Sequence, residues 1–118
     1  MLTADIWFTI IDDITQAGCL FFLMTGGEPL LHPDFLGIYR HAKKNGLIVT
    51  IFSNGSLITD KVAALFEELP PHRVEVSIYG ATPATYHHIT GRQGAWIDVK
   101  NGIETLKKHQ VPFQLKTV

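Results

Sequence analysis

With 118 residues, 46% of them hydrophobic, and a formal charge of -1, the chain has the length of one domain and enough apolar material for a core. That balance leaves no electrostatic footprint for nucleic acid, and no apolar stretch is long enough to span a membrane. Cys19 is the sole cysteine, which excludes an intramolecular disulfide and a self-contained multi-thiolate metal site, and fits a reducing cytoplasm.

Asp5, Asp12 and Asp13 interrupt the N-terminal stretch, so no secretory leader is expected there. Ile6, Ile10, Ile14 and Ala17 recur at helical spacing, and Gly18 stands where a C-terminal cap belongs. Cys19 to Met24 is a short continuous apolar run, read as a buried strand in which Cys19 is packing. After the loop from Thr25 to Pro29, Pro33 at a first helical position opens a helix that runs to Asn45-Gly46. Leu47 to Phe52 reads as a second buried strand, ending at Ser53-Asn54-Gly55. Thr59 or Asp60 caps a third helix with Val62, Leu65, Phe66 and Leu69 on one face, and Pro70-Pro71 stops it. Val74, Val76 and Ile78 then alternate with Glu75, Ser77 and Tyr79 in a strand ending at Gly80. Thr82-Pro83 starts a short helix to about Ile89, and Gly91 to Gly94 breaks it. A further helix covers Ala95 to Lys108, and Pro112 to Val118 reads as a fourth strand. Lys43-Lys44 and Lys107-Lys108 sit at helix C-termini, where cations suit the macrodipole.

Short strands alternating with helices predict an α/β fold with parallel pairing and right-handed crossovers. The series opens on a helix and closes on a strand with no covering helix. The expectation is therefore a single domain over residues 1–118 that is the central piece of a longer α/β protein, truncated at both ends.

Three strands end in polar loops: Thr25-Gly26-Gly27-Glu28, Ser53-Asn54-Gly55 and Ser77-Ile78-Tyr79-Gly80. In a parallel sheet all three lie at the C-terminal edge, where α/β folds bind ligands. Glycines at 26 and 27 let a ligand approach the backbone closely. Pro29 pushes Glu28 toward an extended conformation, holding its carbonyl and carboxylate beyond the strand end. Open backbone acceptors beside one acid suit a small cationic group such as an ammonium. If Val74, Val76 and Ile78 face the helices, then Ser77 faces the opposite side, the interior of a barrel. The six histidines show no metal-ligand spacing, and no nucleophile triad or phosphate-cradling GxxxxGK loop is present.

Leu23 to Phe35, with Gly26-Gly27-Glu28-Pro29 at its centre, resembles the GGEP segment of radical S-adenosylmethionine enzymes. Gly46 to Ser56, with Ser53-Asn54-Gly55, is similar to their third strand and its T/S-N-G ending. Val76-Ser77-Ile78-Tyr79-Gly80 resembles the V-S-I-D-G ending of the fourth. Thr85 to Gly94 resembles the H-D-x-I-x-G-x-x-G-S-F segment that follows. The likeness is nearest to the members with a cysteine-rich SPASM extension that modify peptides, and extends to the cofactor-biosynthesis members.

The resemblance implies a partial (β/α)6 barrel of TIM type, here a parallel sheet of about four strands with flanking helices. It implies that Gly26, Gly27 and Glu28 receive the methionine ammonium of S-adenosylmethionine, with Pro29 shaping the loop. By position Ser53, Asn54 and Ser77 inherit the ribose and methionine carboxylate, and Arg92 is a further candidate for the carboxylate. In the family a [4Fe-4S] cluster on a Cys-x3-Cys-x2-Cys loop cleaves S-adenosylmethionine reductively and starts radical chemistry on a substrate, here unknown, with a peptide as one candidate. This chain has no such loop, so the cluster is expected in the parent protein and not in this piece, which is expected to be inactive alone. The competing reading is a degenerate half-barrel acting as a non-catalytic small-ligand or interaction module. Both outer strands would present unpaired backbone beside apolar side chains, which predicts self-association through an edge or a symmetric dimer, with Trp7 and Phe8 taking part.

Overall fold

The computed structural model describes residues 2–25, 28–78 and 95–117. The helix expected from Thr82 to Ile89, with the Tyr79-Gly80 strand ending and the glycine-rich break before Ala95, lies outside the described residues. The elements in chain order are α1 (Ala4–Gln16), β1 (Phe21–Met24), a 3-10 turn (Pro29–Leu31), α2 (Phe35–Lys44), β2 (Ile48–Ser53), α3 (Asp60–Glu68), β3 (Arg73–Ile78), α4 (Ala95–Lys108) and β4 (Gln114–Thr117).

Local chemistry sets most of these boundaries. Thr3 and Thr59 cap α1 and α3, their hydroxyls accepting from the Ile6 and Val62 amides at 3.4 and 3.3 Å. Gly18 and Gly46 follow α1 and α2 with φ of +93° and +80°. In each case the next two amides fold back onto the last turn, as when Gly46 and Leu47 donate to the Lys43 and Ala42 carbonyls. The end of α4 repeats this geometry without glycine: Gln110 takes φ 57° there, and Val111 donates to the Leu106 carbonyl at 2.9 Å. The helix expected from Pro33 begins only at Phe35. His32 precedes that proline and is held extended at φ -64°, ψ 127°, which ends the 3-10 turn and delays the helix.

The four strands form one parallel sheet in the order β1-β2-β3-β4. A doubly wound sheet reverses its order partway, whereas a monotonic order is an arc of a barrel. The fold is thus an α/β arc of TIM type that is not closed in this chain. Register places Phe22, Met24, Val49, Ile51, Ser53, Val74, Val76 and Ile78 on one face. Val49, Ile51 and Val76 have no exposed surface, and they join Ile38, Tyr39, Ala42, Leu65, Phe66 and Leu106 in the core. Burial of each of the Val, Ile, Leu and Phe side chains among these stabilises the fold by about 1.5–3 kcal/mol. Tyr39 stacks on Phe35 at 5.9 Å, meets Phe66 edge-on at 5.2 Å and donates its hydroxyl to the Leu69 carbonyl at 2.5 Å. Burial pushes its phenol well above the ordinary tyrosine range.

The opposite face carries Phe21, Leu23, Thr50, Phe52, Glu75, Ser77, Gln114 and Lys116. Here the first strand departs from expectation. It starts at Phe21 rather than Cys19, and Phe21 and Leu23 are 69% and 49% exposed rather than buried. The reason is position: β1 is an outer strand whose second face no described element covers. Trp7 and Phe8 are partly buried and pack against the core, Phe8 with its ring 4.7 Å from that of His41.

Polar braces join the helices. His41 Nε2 meets Asp12 at 2.7 Å, and His32 Nε2 meets the Leu2 carbonyl at 2.6 Å. His109, just beyond α4, bridges two carboxylates of α3: Nε2 lies 2.9 Å from Asp60, and Nδ1 bonds Glu67. Lys108 also reaches Asp60 at 3.1 Å. These hydrogen bonds, Asp60 first and then Glu67, raise the His109 pKa. The bonds from His109 and then Lys108 lower that of Asp60.

Candidate functional site

The loops after β1 and β2 are joined by one carboxylate. Glu28 adopts the extended backbone that its following proline dictates, φ -128° and ψ 110°. Its side chain turns inward and is 9% exposed. Oε1 accepts from the Asn54 amide at 2.7 Å, and Oε2 accepts from the Leu30 amide at 3.1 Å. The Ser53 hydroxyl donates to both carboxylate oxygens at 3.0 Å. The Glu28 carbonyl is engaged as well, accepting from the Leu31 amide at 3.0 Å. Glu28 is therefore a crosslink between the segment after β1 and the turn after β2.

Ser53 is 3% exposed and saturated by this network: its oxygen also accepts from the Gly55 amide at 3.0 Å. Asn54 closes a local turn, its Oδ1 accepting from the Ser56 amide at 2.9 Å and the Ser56 hydroxyl at 2.7 Å. Gly55 takes φ +81°, and a Cβ there would lie 2.8 Å from Val76 Cγ1, so both backbone angle and space demand glycine.

Of the residues singled out in the sequence, the fold brings Glu28, Ser53 and Asn54 into direct contact, and Pro29 opens the 3-10 turn next to them. Ser77 lies near the same end of the sheet, since Val76 is in register with Ser53, but it belongs to the opposite face. Gly26, Gly27 and Arg92 lie outside the described residues. Sequence reasoning missed Ser56, whose signal was the Asn-Gly-Ser turn, and Gly102, whose signal was a glycine inside a helix.

A cavity of about 420 Å³ lies beside β1, lined mainly by Trp7, Phe22, Met24, Leu31, Phe35 and Ile38 and reaching Glu28 and Pro29. Its walls are apolar and offer little to an amino-acid or ribose group, so the polar rim is the better candidate. An iron-sulfur cluster does not fit this chain's donors. The Cys19 thiol donates to the Phe21 carbonyl at 3.2 Å, and among the described residues no three His, Cys, Asp or Glu side chains converge to hold a metal.

An arc of sequential parallel strands, with two loops tied together at the C-terminal edge, defines an α/β barrel-type protein, and in such folds that edge is where ligands bind. The model of the Radical SAM superfamily matches residues 2–118, and the chain belongs to that superfamily. The AdoMet-dependent heme synthase of Methanosarcina barkeri (strain Fusaro / DSM 804) is 35% identical over 116 residues, covering 98% of this chain and 33% of that protein. The PqqA peptide cyclase of Ruegeria pomeroyi (strain ATCC 700808 / DSM 15171 / DSS-3) is 25% identical over 117 residues, covering 99% and 31%. Among solved structures, native anSMEcpe with bound AdoMet and Kp18Cys peptide superimposes with a TM-score of 0.79 at 20% identity, covering 98% of this chain and 34% of that one. The chain thus spans about a third of the length of these relatives.

Proposed function

We propose that this chain is the central part of a radical S-adenosylmethionine enzyme and provides the rim that holds the cofactor's amino-acid and ribose ends. The observation that carries the reading is the Glu28 crosslink, which ties the segment after β1 to the end of β2. Gly26 and Gly27 offer backbone acceptors to the ammonium, and the charge of Glu28 favours a cation beside them. Asn54 and Ser77 serve the ribose and the methionine carboxylate, with Arg92 as a further carboxylate partner; Ser53 acts by keeping Asn54 in place. S-adenosylmethionine, when bound and reductively cleaved, supplies radical chemistry. No part of that cleavage is assigned to this chain, because its lone cysteine does not fit the cluster. The chain alone is accordingly inactive.

The names of the relatives support a substrate in tetrapyrrole cofactor synthesis or a peptide, and the higher identity to heme synthases favours the former. A cytoplasmic location is consistent with the lone cysteine; among the described residues no helix is long and apolar enough to cross a membrane. Self-association through β1 and β4 is part of the same reading, supported by Leu20, Phe21 and Leu115 at 61%, 69% and 53% exposure.

Titration of the isotope-labelled chain with S-adenosylmethionine, followed by amide NMR, tests the cofactor assignment. The amides of Asn54, Gly55 and Ser77 are expected to shift together and saturate. Saturating shifts confined to Trp7, Phe22 and Phe35, around the apolar cavity, would overturn it, as would the absence of saturable shifts at millimolar ligand.

A further inference from the structure

Glycine is the least favourable residue in a helix interior after proline, yet Gly102 stands in the middle of α4 and is buried. The reason is a close approach of backbones. A Cβ at residue 102 would lie 2.0 Å from the Gly55 carbonyl oxygen and 3.2 Å from its carbon, distances no side chain can occupy. In the native chain a hydrogen occupies that direction and points at the oxygen, a Cα–H···O contact. The approach is two-sided. A Cβ on Gly55 would meet Val99 of the same helix, 3.4 Å from its Cγ1 and 4.0 Å from its Cα, and Val76 Cγ1 at 2.8 Å. Gly55 is thus clamped between α4 and β3. Its amide in turn donates to Ser53 Oγ, and its neighbour Asn54 donates to Glu28.

We propose that Gly102 is a positioning residue for the ligand rim: α4, seated through residue 102 on the Gly55 carbonyl, sets where the Ser53-Asn54-Gly55 turn stands. A methyl group there must lift the helix or push the turn. Pushing the turn shifts the Asn54 amide relative to Glu28, since one peptide unit separates Asn54 from Gly55, and lifting the helix removes the packing that holds Gly55 in place. The link from turn to cofactor rests on the proposed function; the link from Gly102 to the turn stands on geometry alone.

The test compares wild type, Gly102→Ala, and the exposed control Asn101→Ala in the full chain, by amide hydrogen exchange and by S-adenosylmethionine binding. In Gly102→Ala, exchange at Asn54 and Gly55 is expected to accelerate roughly tenfold more than at Val49 and Val74, which report the sheet as a whole. Asn101→Ala leaves that ratio unchanged. Where wild type binds S-adenosylmethionine, Gly102→Ala weakens it roughly tenfold, or 1.4 kcal/mol. Uniform acceleration at all four amides, or none, in folded Gly102→Ala overturns the proposal. If that variant does not fold, Val99→Ala decides, because it loosens the same clamp without a clash. Selective acceleration at Asn54 and Gly55 then supports the proposal, and uniform acceleration overturns it. A wild type that does not bind S-adenosylmethionine refutes the proposed function and leaves the exchange result to judge Gly102.

Discussion

Replacing Glu28 with alanine removes one carboxylate and abandons three donors at once: the Leu30 amide, the Asn54 amide and the Ser53 hydroxyl. A hydrogen bond to a charged acceptor contributes about 1.5–3 kcal/mol, and a buried donor left alone costs about 1–3 kcal/mol. The three do not add fully. Ser53 can turn to another acceptor, and water reaches the half-buried Leu30 and Asn54 backbone once the side chain is gone. The net loss is expected to be about 3 kcal/mol, or roughly 10 °C in melting temperature for a chain of this size. Glu28→Gln keeps one acceptor oxygen but turns an amide group toward a donor, so about 1–2 kcal/mol is expected. Urea unfolding of Glu28→Ala, Ser53→Ala and the double variant completes the cycle. Because Ser53 donates to both Glu28 oxygens, the coupling energy is expected to be about 1 kcal/mol. A Glu28→Ala loss below about 0.5 kcal/mol, or strict additivity with Ser53→Ala, would show that the carboxylate does not hold the two loops together.

Gln110→Gly is expected to stabilise the chain by about 1 kcal/mol, since it relieves a non-glycine residue at φ 57°; denaturant midpoints check this, and a loss would refute it. Tyr39→Phe leaves the Leu69 carbonyl without its hydroxyl donor and is expected to cost about 1–2 kcal/mol. The raised phenol pKa of wild type also means stability that is complete below the ordinary value of 10.0 and lost as pH rises above it, so an alkaline unfolding limb that survives in Tyr39→Phe would contradict this account. His109→Gln is expected to lower the melting temperature most between about pH 4 and 6.5. The His109 contribution is complete below its ordinary 6.5 and is lost as pH rises through the raised folded value. That of Asp60 is present above its ordinary 3.8 and is lost as pH falls. A gap between wild type and variant that stays constant from pH 5 to 9 would rule the brace out.

The parallel pairing of the strands was readable because short strands and helices alternate so regularly, and the two faces of β3 followed from the alternation at Val74, Val76 and Ile78. The rim was readable as a set of residues but not as a mechanism. Proline at 29 announced an extended Glu28, yet nothing in the chain said that its side chain would fold back onto Ser53 and Asn54, 25 and 26 residues away. The exposure of Phe21 and Leu23 was hidden for a related reason. Periodicity reports how apolar a strand is, and only the sheet decides how many of its faces are covered. The αL end of α4 was invisible because glutamine carries no signal for that conformation, whereas Gly18 and Gly46 announce theirs.

The sheet's monotonic order has a thermodynamic consequence. Each strand is coupled only to its sequence neighbours, so the fold resembles a short linear array whose outer members have one coupling and whose inner members have two. In this chain taken alone, opening is expected to begin at β1 and β4, which have one partner strand each among the described residues, and to reach β2 and β3 last. The proposed ligand rim straddles that gradient. Ser53 and Asn54 follow an inner strand, and Glu28 follows an outer one. Glu28 is then a tether through which a segment that follows an outer strand borrows order from the end of an inner one.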